Sequence, residues 1–252
     1  SARAVSKTFD DFTPEQEYYI GRAVTATVLS RYRVHTDGTV RRYVNVLGTT
    51  LALASDMPET FRGYHFLVLD SDEINAFAAP GGFILVTSGM LRCCDSEEAL
   101  AAVLAHEIGH VQENHGLAAI KKSRVTQALT ILAVEGAKQM GSEDLARLTE
   151  TFEASIMDIT STLMVNGYAR GQEREADRAA ATILERVGYD PRGLTDLLGV
   201  MGRRLQPGGM DFARTHPDPA DRIRDLRPLV GTGAARTDPA RETRFRAAMR
   251  QL

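Results

Sequence analysis

The sequence has no apolar run long enough to cross a bilayer. Stretches such as Ala128 to Ala137 are broken by Thr130 and Glu135 and stop well short of the roughly 20 residues a span requires, so the chain as given is expected to be soluble. Nor is there an excess of one charge. Thirty Lys and Arg face 33 Asp and Glu, interleaved for a net charge of -3; this excludes the basic field that nucleic acid or an anionic membrane surface would need. Cysteine is scarce, with two residues in 252. Cys93 and Cys94 are neighbours, too close for an unstrained disulfide and without metal-ligand spacing, so both are expected as free, small apolar residues. No internal repeat or low-complexity segment is evident. The chain starts at Ser1 and not at Met, which fits a processed or trimmed form from which any signal peptide or anchor is already gone. An ordinary composition over this length can bury one large core, and a single domain over residues 1–252 is expected.

Local signals place the elements. Thr13-Pro14-Glu15-Gln16 opens a helix running to about Arg31, His35 to Gly38 is turn chemistry, and Val44 to Ala54 predicts a second helix. Tyr64 to Asp70 and Phe83 to Val86 carry β-type patterns and predict a hairpin or adjacent antiparallel strands. Asp95-Ser96-Glu97-Glu98 caps a helix rich in Ala and Leu. Between Gly116 and Gly171 a mostly helical stretch repeats Phe152, Ile156, Ile159 and Leu163 at helical spacing, chiefly as core. Further helices are expected from about Glu173 to Val187, after Pro191, at Asp218-Pro219 and at Asp238-Pro239.

The chemistry concentrates in His106-Glu107-Ile108-Gly109-His110. Two histidines four apart share one face of a helix and can offer nitrogens to one metal ion. Glu107 points about a quarter-turn away, where it can reach a water on the open side of the metal and accept its proton. Two surface histidines and a salt-bridging Glu would be the bland alternative, but the preceding Ala101-Ala102-Val103-Leu104 turn is apolar and charge there needs a reason. A third ligand must come from elsewhere. The metzincin extension is excluded, because Glu113 and Gly116 stand where it needs glycine and histidine. Glu173, in Glu173-Arg174-Glu175-Ala176-Asp177, is the best candidate, with Asp177 one turn later on the same face to accept the free N–H of a ligating histidine. Taken alone, that segment would read as a charged surface helix.

The first motif, the later Glu-x-x-Ala-Asp and the block Asn75-Ala76-Phe77-Ala78-Ala79-Pro80-Gly81-Gly82 ahead of a strand together resemble the gluzincin metallopeptidase family that contains HtpX and the CAAX prenyl proteases. The chain is most similar to its soluble, cell-envelope BepA-like branch. The likeness runs from about Thr13 to Leu226 and includes Thr215-His216-Pro217 and Arg222-Ile223. It implies an α+β fold, mainly helical, with a small β-sheet beside the motif helix. One zinc per chain would be held by His106, His110 and Glu173, with Glu107 as general base and Asp177 in support. Substrates would be extended or misfolded protein segments, and the location periplasmic or cell-envelope. His216 would serve as oxyanion donor or as an extra zinc ligand that blocks the water position. The given sequence lacks the transmembrane helices of the membrane-embedded members, which removes the basis for a prenylated substrate, and it shows no repeat domain after the peptidase, so partners recruited through such repeats are not expected. Asn75, Ala76 and the strand residues Phe83, Ile84 and Leu85 are expected to bind substrate by adding its backbone as a further strand. Residues 116–170 could fold over the cleft as a helical lid, with Met140, Met157 and Met164 as an adaptable apolar wall. The rivals are a metal-stabilised, chaperone-like binder of unfolded protein, opposed by the intact Glu107, and a zinc hydrolase of small molecules, opposed by the strand. Oligomeric state is not legible.

Overall fold

The computed structural model describes residues 12–120, 142–204, 215–216 and 218–252. Helix α1, Pro14–Leu29, begins with a reciprocal cap: the Gln16 N–H donates to Thr13 Oγ1 and the Thr13 N–H to Gln16 Oε1. Helix α2, Gly38–Ala52, starts well before Val44, because Asp37 accepts from the Thr39 and Val40 N–H groups, both at 2.9 Å. The turn residue is therefore an N-cap, which satisfies donors that a helix start leaves open.

Four strands form one mixed sheet: β1 (Arg33–Val34), β2 (His65–Asp70), β3 (Ala76–Ala79) and β4 (Phe83–Thr87), in the order β1-β2-β4-β3. β2 and β4 run parallel, with Phe66 opposite Ile84, which corrects the expected antiparallel pairing. The tight turn belongs to β3 and β4 instead. Gly81 (φ 69°) and Gly82 (φ 90°) take positive φ there, and a turn this short can only reverse the chain into an antiparallel partner. β4 is thereby threaded between β2 and β3. Alternate residues of β3 and β4 serve two cores: Ala76, Ala78, Ile84 and Val86 face the cluster containing α2, while Phe77, Ala79, Phe83 and Leu85 face the one containing α1.

Beyond the sheet lie α3 (Ser88–Cys93), α4 (Glu97–Gln112), α5 (His115–Ala118), α6 (Ser142–Ser161), α7 (Arg170–Val187), α8 (Arg192–Arg204), α9 (Pro219–Val230) and α10 (Pro239–Ala248). Cys93 and Cys94 are free and buried. On α6 and the π-turn after it (Thr162–Asn166), Ile156, Ile159 and Leu163 are core, whereas Phe152 is 42% exposed. The proposed lid falls partly at residues 121–141, which with Met140 lie outside the described residues; Met157 is exposed and Met164 packs partly against the α1 core. Among the described residues no helix is long and apolar enough to cross a membrane.

α4 is the hub. Ser96, not Asp95, is its N-cap, accepting from the Ala99 N–H, and every residue from Glu97 to Val111 is buried. Such a helix is held from all sides. Its first turn is anchored by the Glu97 carboxylate, which accepts from the Tyr43 and Tyr189 hydroxyls and from the Arg244 guanidinium, tying α2 and α10 to it. Its last turns pack on α7, and the contact is close because Gly109 meets Ala176: a Cβ on Gly109 would lie 2.8 Å from the Ala176 carbonyl oxygen and 3.0 Å from its Cα. Backbone cannot retreat as a side-chain tip can. Gly109→Val should therefore force α4 and α7 apart and destabilise the chain by about 1–3 kcal/mol. Thermal unfolding of the metal-free protein checks this, and a parent-like melting temperature would show that the close approach is dispensable.

Candidate metal centre

The α4–α7 contact sets two short motifs face to face. His106 and His110 project from α4 with their Nε2 atoms 3.1 Å apart. Glu173, in the first turn of α7, brings Oε2 to 3.5 Å from His106 Nε2 and Oε1 to 3.4 Å from His110 Nε2. His216 enters from the segment before α9, its Nδ1 2.9 Å from Glu173 Oε1. One ligand atom from each of these four residues lies within 4.8 Å of the other three, and all four side chains are buried. Bonds of about 2.0–2.1 Å to a tetrahedral ion would hold its ligand atoms about 3.3–3.4 Å apart. The spacings of 2.9–3.5 Å given above bracket that figure.

Electrostatics point the same way. Burial and the Arg222 charge oppose a proton on His106, but Asp177 and Glu173 outweigh them and raise its pKa to about 9. His110 and His216 are pushed down, first by burial. Glu173 is held well below the usual carboxylate range, because His216, His106 and His110 overcome the cost of burying it. His110 and His216 thus stay neutral beside an ionised Glu173, the protonation states in which these groups can ligate a metal, and three nitrogens with a carboxylate oxygen suit zinc among common metals.

Glu107 is buried beside this group, and neither of its carboxylate oxygens has a hydrogen-bond partner among the described residues. Burial, with the Glu173 charge adding to it against His106 and Arg222, raises it to about 7. A carboxylate left without donors in the interior is costly unless something is meant to occupy the space in front of it. Glu107 lines a small cavity of about 10 Å³ with Ala76, Ala78 and His216, close to the smallest space that holds one water.

Asp177 places its Oδ1 2.9 Å from His106 Nδ1. The sequence reading assigned no role to the residue that fixes Asp177 in turn. Arg222, on α9, donates to both of its oxygens, at 2.6 Å and 3.1 Å, and sets Nη1 3.7 Å from Glu173 Oε2. A signal existed, since Pro219, Arg222 and Leu226 form the buried stripe of α9, and an arginine on such a stripe must have partners. The exposed Arg174–Asp225 pair also links α7 to α9, but pairs of that kind contribute only about 0–1 kcal/mol. Tyr168 was missed as well: it stacks on His110 at 4.1 Å between ring centroids.

The substrate residues fare differently. Ala76 lies on β3 at the cavity. Asn75 is buried at the start of β3, its N–H donating to Thr87 Oγ1 and its backbone oxygen accepting from Thr87. Phe83, Ile84 and Leu85 are corrected: β4 is bonded to β2 on one side and β3 on the other, so its backbone groups are spent and cannot receive an added strand. The nearer edge strand is β3, which is buried throughout.

A model of peptidase family M48 matches residues 39–230. The chain belongs to that family. Beta-barrel assembly-enhancing proteases of Yersinia pestis and Escherichia coli strain K12 are each 32% identical to it, over 197 and 200 residues, and each match covers 76% of this chain and 39% of the relative. The mitochondrial metalloendopeptidase OMA1 of Schizosaccharomyces pombe is 31% identical over 159 residues, covering 60% of this chain and 42% of the relative. This M48 chain therefore matches about two-fifths of the length of these relatives.

The two carboxylates of the M48 chain's second motif make separable predictions. Glu173→Ala removes a donor atom and should abolish stoichiometric zinc binding, whereas Asp177→Ala should leave a site weakened about 10–100-fold. Zinc content after dialysis, with competition against a chelator, measures both. Parent-like affinity in the two variants would show that α7 supplies no ligand.

Proposed function

We propose that this chain is a zinc-dependent endopeptidase that hydrolyses extended or misfolded protein segments, with His106, His110 and Glu173 holding the metal. The observation that carries the reading is the buried Glu107 carboxylate, with no hydrogen-bond partner among the described residues, beside a donor set of zinc-binding composition. Bound zinc would polarise the scissile carbonyl and acidify a water. Glu107 takes the proton of that water on a carboxylate oxygen and passes it to the leaving amide nitrogen. Burial raises its pKa to about 7 in the metal-free pocket, and a bound cation would lower it from there towards the ionised form a general base needs. Asp177 holds the Nδ1 proton of His106, so that Nε2 is the nitrogen left to bind, and Arg222 keeps Asp177 ionised and aimed.

The similarity to beta-barrel assembly-enhancing proteases supports a cell-envelope location, protein substrates and a part in protein quality control. A chaperone-like binder remains the rival, and Glu107→Gln separates the two. Gln keeps the shape and the zinc ligands but accepts no proton, so the variant should bind zinc at parent stoichiometry, unfold at a similar temperature and cleave an unfolded protein slower by more than roughly 10²–10⁴-fold. Cleavage by neither protein, with both binding unfolded chains, would favour the binder. Near-parent cleavage by the variant would refute the mechanism.

Of the two roles open to His216, the extra ligand is favoured by its Nδ1 lying 2.9 Å from Glu173 Oε1 inside the donor group. A fourth protein ligand fills the position that a catalytic site keeps for water, so the described arrangement would be a closed one. His216→Ala should then retain zinc and cleave peptides faster than the parent. An oxyanion donor would give the opposite result, a slower enzyme with zinc unchanged.

A further inference from the structure

The ring of His110 is oriented by a contact of its own, on the side away from the donor group. α4 ends at Gln112, and Asn114 takes a left-handed conformation (φ 55°, ψ 30°), the one positive-φ residue other than glycine among those described. That conformation is uncommon outside glycine and is tolerated best by Asn and Asp. It turns the chain so sharply that His115, the first residue of α5, folds back under the helix it has just left. His115 is buried, its Nδ1 lies 2.9 Å from His110 Nδ1, and its Nε2 lies 3.1 Å from Glu175 Oε2. Glu175 is on α7, between Glu173 and Asp177 in sequence, and is about half exposed.

If His110 ligates through Nε2, its Nδ1 carries the proton and must donate it. The atom it faces is His115 Nδ1, which can accept only in the tautomer protonated at Nε2, and Nε2–H then donates to Glu175. Each donor finds an acceptor. We propose that His115 and Glu175 are positioning residues of the metal centre, fixing the tautomer and tilt of His110 as Asp177 and Arg222 do for His106. The inference rests on the metal-site reading above, and it gives α7 a second task, since Glu175 supports one histidine while Asp177 supports the other.

The test is zinc affinity of the metal-free full chain by chelator competition, with the absorption spectrum of the Co²⁺-substituted protein as a direct report on ligand geometry. His115→Phe fills the space but accepts nothing; it should bind zinc about 10–100-fold more weakly and shift the cobalt bands while the metal-free protein melts near the parent temperature. His115→Asn offers an oxygen near the place of Nδ1 and should recover most of the affinity and the parent spectrum. Glu175→Ala, at a half-exposed position, should give a smaller loss in the same direction. Parent affinity and spectrum in His115→Phe would overturn the proposal, and so would an Asn variant as impaired as Phe, which would make the role one of shape. Should His115→Phe fail to fold, unchanged zinc affinity in Glu175→Ala overturns it. A parent chain that binds no zinc would instead sink the metal-site reading itself.

Discussion

Three carboxylates, Glu107, Glu173 and Asp177, are buried in one site, and a protein interior tolerates that much negative charge only beside matched positive charge. Arg222 offsets part of it, chiefly at Asp177. What remains is met in the metal-free molecule by a proton on His106, whose pKa those acids raise, and would be met better by a divalent ion. The surrounding architecture serves this balance. α9 delivers Arg222 and α7 delivers the acids. α4 delivers the histidines on a helix buried along nearly its whole length.

Bringing two anionic and two histidine-bearing turns this close requires that nothing bulky stand between them. Gly109 lies within the first motif and Ala176 within the second, so each motif carries both ligands and the small residue that lets the other approach. Chemistry and packing are encoded in the same few positions. The candidate donors on α4 and α7 sit on helices whose other faces are in the core, and rigid elements hold ligand geometry better than loops do; His216 enters from the segment before α9.

The same burial closes the site. β3 is the edge strand nearest the cavity, yet its residues are covered, and Tyr168, Leu163 and His216 line the space in front of it. An extended peptide could reach β3 only if these covering residues moved aside, including Tyr168, whose hydroxyl donates to the Ala78 carbonyl oxygen.

The sequence alone determined the local chemistry. His106-Glu107-Ile108-Gly109-His110 names two candidate ligands and a candidate base because helical spacing is fixed by geometry, and the caps at Thr13, Asp218 and Asp238 are bonds within a few residues. The Glu173–Asp177 pairing was legible by the same i,i+4 rule. Tertiary structure decided what depends on partners far along the chain. The parallel course of β2 and β4 follows from which strand the Gly81-Gly82 turn claims first, and it removed Phe83 to Leu85 from the list of exposed edges. Arg222 and His115 look like ordinary polar residues in sequence. They acquire roles only where α9 crosses Asp177 and where a left-handed Asn114 returns the chain to His110, because a hydrogen bond needs two atoms within about 3 Å and only the folded chain sets that distance.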